Sequence, residues 1–177
     1  MRHKRNTQDI RPGSSGLKSA PSKNRLGFSL KGLIILLLVL LPNLIFYAFA
    51  INGTGGTATA FGNRYEWISY IEHSSQVLLM LVLIFRVNQS SPSLQSKYVI
   101  GMAVFLLLYY ALWIRYFAGG MDYTLISGSF VVFMGMSIFP SVYFALAEKW
   151  LGDHVGVGIA ITFGLFHTLN TYLNLAI

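Results

Sequence analysis

Five stretches of 19–23 predominantly apolar residues, at roughly 32–50, 67–86, 98–118, 125–147 and 154–174, constrain this chain more than any other feature. A helix rising about 1.5 Å per residue needs about 20 residues to cross a hydrocarbon core about 30 Å thick. Helices are the expected form, because an open sheet or loop leaves backbone groups unsatisfied in lipid. Trp67, Tyr70, Tyr98, Tyr116, Phe117 and Trp150 fall near the ends of the stretches, as interfacial aromatic belts do. Short connections between them imply antiparallel neighbours. The expected fold is all-α: a polytopic membrane bundle of about five transmembrane helices over 31–177, after a basic tail over 1–30. Composition agrees, with 54% hydrophobic and 11% charged residues, where soluble domains carry about 25% charged residues.

Eight of the thirteen Lys and Arg residues lie within the first 31 positions, among Ser, Gly and Pro. Such a segment has little to bury and is expected to be disordered. Its charge reads as an orientation signal and a contact for anionic membrane lipids rather than for nucleic acid. With the N-terminus cytoplasmic, the inner side also collects Arg86, Lys97 and Lys149, while the outer side holds Arg64 and Arg115. Eleven against two places the C-terminus outside after five crossings. A rival reading makes the first apolar run a signal peptide ending at Ala48-Phe49-Ala50. The long basic region and the interruption at Pro42-Asn43 oppose it. There is no cysteine, which excludes disulfides, thiolate metal sites and cysteine nucleophiles.

Polar residues inside spans are expensive and tend to face the bundle interior or a water-filled cavity. Glu72 and His73 lie about five residues into the second span, roughly 8 Å deep. Gln76 follows one turn on, on the Glu72 face. Arg115 is near the outer end of span three, and Asn43 near that of span one. Ser127 and Ser129 fall in the outer part of span four, and His167, Asn170 and Thr171 in the outer half of span five. All five spans thus carry polar groups in their outer halves, which suggests one polar pocket open toward the outer leaflet. Glu72 is expected to pair with Arg115, or with a protonated His73 or His167. The blander alternative is that these groups simply hold helices together. Glu72, His73 and His167 are zinc-type ligands, but without a spacing motif and with Arg115 nearby no metal or other cofactor is expected. A His beside a carboxylate can do acid–base work, yet no nucleophile motif accompanies the serines, so an enzyme is the less favoured class. Gly156, Ala160 and Gly164 form a small-residue stripe, suited to packing within the chain or, alternatively, to a homodimer face. Pro140 is expected to kink span four. Asn52-Gly53-Thr54 fits a glycosylation sequon too close to the span to be used.

The order of features has a counterpart elsewhere. Span three ends in Tyr109-Tyr110 and Trp113-Ile114-Arg115-Tyr116-Phe117. Span four contains Phe139-Pro140-Ser141-Val142-Tyr143-Phe144 and leads to Glu148-Lys149-Trp150-Leu151, and span five holds Phe163-Gly164-Leu165-Phe166-His167. With Glu72, this resembles a group of small, uncharacterised bacterial multi-span membrane proteins. The resemblance covers spans two to five and departs at Gln76, where the group tends to carry a basic residue. It implies a bacterial plasma membrane and no specific activity.

Four functions compete. The first is an accessory protein that binds a lipid head group or small amphiphile in the outer pocket. There Arg115 would attract an anion, and Glu72, His73, Gln76, His167 and Asn170 would line or orient the site. The second is a proton-linked transporter using Glu72 and His167, although the apolar inner halves oppose a continuous path. The third is an intramembrane enzyme, with His167 as base and Arg115 as phosphate clamp. The fourth is a structural subunit of a membrane complex.

Overall fold

The structure, a computed structural model, describes residues 24–51, 65–88 and 93–175. It is an all-α bundle of α1 (Leu30–Ile51), α2 (Glu66–Phe85), α3 (Lys97–Ala118), the single turn α4 (Thr124–Ser127), α5 (Phe130–Leu151) and α6 (His154–Leu175). Two short strands, β1 (Asn24–Leu26) and β2 (Arg86–Asn88), pair antiparallel with Leu26 opposite Arg86. Among the described residues four helices, α1, α2, α3 and α5, are long and apolar enough to cross a membrane. The fifth expected span, α6, matches them in length at 22 residues, but Thr162, His167, Thr168, Asn170 and Thr171 dilute its apolar character.

Helix α5 is the hub. Half of its apolar window is buried, against 17% for α3. It packs on α3 and α6, α6 packs on α2, and α1 lies against α2, α3 and α5. Ile100, Leu107, Ile114, Val131 and Leu165 stay exposed, a distribution that suits lipid rather than water.

The corner where α1 begins is built backbone to backbone. A helix leaves its last carbonyls without partners inside the helix, and the chain ahead of α1 takes up those of α2: Gly27 N–H donates to Phe85 O at 2.9 Å and Ser29 N–H to Ile84 O at 2.7 Å. Ser29 then caps α1, its Oγ accepting Gly32 N–H at 3.0 Å. Gly32 is required, since a Cβ there would lie 1.7 Å from Leu83 O. This pairing shortens the tail expected over 1–30: residues 24–29 are ordered against α2, because its end offers open carbonyls. Residues 1–23 lie outside the described residues, as do Asn52-Gly53-Thr54 and Arg64.

Span four also begins later than its hydropathy suggests. Ser129 is extended, at φ −135° and ψ 117°, and separates α4 from α5. Ser127 therefore belongs to α4 and Ser129 to the N-cap of α5; neither sits inside the span. Asp122 opens α4 by accepting Thr124 N–H at 2.9 Å, and that hydrogen bond holds its carboxyl below the usual range.

At the other end of α5, Gly152 adopts the left-handed conformation (φ 75°, ψ 21°) that glycine tolerates. Asp153 follows at once and caps α6, its Oδ1 accepting Val155 N–H at 3.0 Å and Gly156 N–H at 3.2 Å. The small-residue stripe then zips α6 onto α5. Ala160 is 1% exposed, and a Cβ on Gly164 would meet Ser141 Cβ at 3.0 Å. The stripe is spent on packing within the chain.

Pro42 and Pro140 sit inside helices, α1 and α5 respectively. Pro42 lacks an N–H, which frees the carbonyl four residues back. That carbonyl, Leu38 O, instead accepts the Tyr110 hydroxyl at 2.6 Å. Tyr116, expected at an aromatic belt, is instead buried among Phe46, Trp113 and Phe117, because its side of α3 faces α1. Trp67 and Tyr70 are exposed.

A carboxylate–histidine cluster beside a central cavity

Glu72 sits near the start of α2 on its buried side, 8% exposed. Both of its oxygens are taken by α6. His167 Nδ1 lies 2.7 Å from Oε1, and Asn170 Nδ2 donates to Oε2. Spacing on α6 explains the convergence, since residues three apart share a helix face. Thr171, one turn beyond His167, donates its hydroxyl to His167 O at 2.7 Å. The His167 ring stacks on Phe163 with centroids 5.1 Å apart and planes 14° apart. An ionised carboxylate only accepts hydrogen bonds, so the ring proton belongs on Nδ1. Nε2 then has no hydrogen-bond partner among the described residues.

His167 lines a cavity of about 440 Å³ in the half of the bundle that holds the ends of α1, α3 and α6 and the starts of α2 and α5. Its polar wall comprises Asn43, Gln76, Tyr109, Ser137, His167 and Thr171, and the rest is mainly apolar and aromatic. Asn43 donates to the Tyr109 hydroxyl at 3.0 Å and also approaches Val39 O at 3.4 Å. Ser137 Oγ donates to Thr168 Oγ1 at 3.4 Å.

Of the residues singled out from sequence, Glu72, His167 and Asn170 are bonded together, and Gln76 shares the cavity with His167. His73 and Arg115 stand apart. His73 is exposed and turns back to its own helix, Nδ1 lying 2.7 Å from Ser69 O. One residue along a helix is a rotation of about 100°, so His73 cannot share the face of Glu72. Arg115 is exposed on α3 while its neighbours Trp113 and Tyr116 point inward. It is not a partner of Glu72, whose oxygens His167 and Asn170 occupy. Among the described residues no three His, Asp or Glu groups gather to hold a metal ion.

Sequence reasoning assigned no site role to Tyr109, Trp113 and Ser137 of the wall. Tyr109 and Trp113, four residues apart on α3, carried a legible signal: one aromatic face. A second polar cluster also escaped it, at the opposite end of the bundle. Arg86 Nε pairs with Asp153 Oδ2 at 3.0 Å. Beside them Glu148 is 1% exposed, its carboxylate laid against the backbone of Gly156, where a Cβ would fall 2.3 Å from Oε2.

The fold and the cavity define a membrane-embedded helical protein with a polar cluster at its centre. No known protein family, no curated protein and no solved structure matches the chain.

Proposed function

We propose that this chain is a multi-pass protein of a bacterial plasma membrane that binds a small amphiphile in its central cavity. The basic tail is cytoplasmic, α6 is the fifth crossing, and the cavity lies toward the outer leaflet. Charge distribution supports the orientation, with Arg25, Lys31, Arg86, Lys97 and Lys149 at or near the helix ends opposite the cavity. The observation that carries the binding reading is the cavity itself. Pockets for small molecules are concave and mostly apolar, with a few convergent polar groups, and this one has apolar walls around Asn43, Gln76, His167 and Thr171. Arg115, exposed on α3, is left out of the site.

Native mass spectrometry of gently extracted protein tests this reading. Wild type should release a specific small amphiphile that a Gln76→Leu, His167→Leu variant of unchanged melting temperature does not hold. Bulk phospholipid alone, equal in both, overturns it. A second reading, proton-linked transport, draws on the Glu72–His167 pair, a carboxylate and an imidazole bonded within a span. Uptake in proteoliposomes that is indifferent to Glu72→Gln would dispose of that alternative.

A further inference from the structure

We infer that the occupant of the cavity carries a positively charged nitrogen, an alkylammonium head on an apolar chain. This rests on the binding reading and narrows it to one class of ligand.

Three features of the wall point the same way. First, three of the wall's polar side chains already donate inside the protein, although the Trp113 ring N–H has no partner among the described residues. The Asn43 amide N–H groups go to Tyr109 Oη and Val39 O, the Ser137 hydroxyl to Thr168, and the Thr171 hydroxyl to His167 O. What these groups still offer a ligand is lone pairs. Second, the titratable side chain bonded behind the wall is a carboxylic acid rather than a Lys or Arg. Glu72 stands directly behind His167 and turns the Nε2 lone pair toward the role of acceptor. None of the described residues lining the cavity is Lys or Arg. Third, six aromatic rings line it: Tyr47, Tyr109, Trp113, Phe133, Phe144 and Phe163. The faces of such rings are negative and attract organic cations, the basis of quaternary-ammonium recognition by aromatic cages. An anionic head would find no Lys or Arg among the described lining residues to compensate its lost water.

Decyl chains bearing trimethylammonium, hydroxyl and sulfate heads separate the possibilities. Binding of each to the full-length protein in nanodiscs would be measured by equilibrium dialysis against empty nanodiscs. The ammonium probe should bind saturably and at least tenfold more tightly than decanol, with decyl sulfate weakest. Glu72→Gln, which keeps acceptor and shape but removes charge, should weaken the ammonium probe about tenfold and leave decanol unchanged. Tyr47→Leu, at an exposed rim position, should weaken the ammonium probe selectively. If decanol or the sulfate binds as tightly as the ammonium, the cation inference falls while the pocket stands. If none of the three binds saturably above empty nanodiscs, the binding reading falls with it.

Discussion

Tyr110 shows how a single hydroxyl repairs a backbone defect in this protein. Pro42 strips Leu38 O of its helical donor, and Tyr110 supplies one from α3. The two side chains should therefore be energetically coupled. Tyr110→Phe is expected to cost about 1 kcal/mol, the net worth of a typical hydrogen bond. In a Pro42→Ala background, where residue 42 regains its N–H, most of that cost should vanish. A double-mutant cycle by thermal unfolding in detergent measures the coupling, and strictly additive effects would deny the repair. The residue scale is also where sequence reasoning met its limit. Glu72 and His73 are adjacent and equally polar, and only helix rotation decides that the first faces α6 and the second does not. The same holds for Trp113 and Arg115. Hydropathy fixes that a span exists, while its rotation comes from packing against neighbours.

At the scale of elements, the α5–α6 hairpin rests on two glycines that differ in what they exclude. A Cβ on Gly156 would strike the Glu148 carboxylate at 2.3 Å, so this nearly fully buried acid would have to shift. On Gly164 it would meet Ser141 Cβ at 3.0 Å, which a small shift relieves. Gly156→Ala should thus destabilise by about 1–3 kcal/mol, the usual range for overpacking, and Gly164→Ala by clearly less. Melting temperatures of the two variants give the ranking, and the reverse order would contradict this account of the seam. The stripe itself was legible, because small residues four apart announce close approach. The β1–β2 pairing was not. Asn24–Leu26 and Arg86–Asn88 are too short to alternate, and they pair because the end of α2 leaves carbonyls to be met. The break at Gly128-Ser129 was hidden for a similar reason: a window of apolar residues averages over one extended residue.

For the whole molecule, the proposed orientation separates two exposed positions by the membrane: Leu94, ahead of α3, and Thr124, after it. The chain contains no cysteine, so single cysteines report without background. A membrane-impermeant maleimide applied to intact cells should label Thr124→Cys and spare Leu94→Cys until the membrane is permeabilised. The opposite pattern would invert the orientation, and equal labelling of both would deny that α3 crosses. The helical bundle was readable from stretch lengths, and so was the presence of Glu72, Gln76, His167 and Asn170 within its helices. Which groups touch was not, since α6 had to be rotated against α2 before His167 and Asn170 met Glu72.

The central place of α5 has a consequence for how this protein can drift over evolutionary time. Its neighbours α3 and α1 spend much of their surface on lipid, where one apolar side chain serves as well as another. Helix α5 has α3 on one side and α6 on the other, with α1 also against it, so its positions answer to several surfaces at once. Tolerance to replacement should therefore be graded across the bundle, broad at the lipid-facing rim and narrow along Ser137, Pro140, Ser141, Phe144, Ala147 and Glu148. Distant kin whose spans have otherwise diverged beyond recognition would still betray their descent in that one seam.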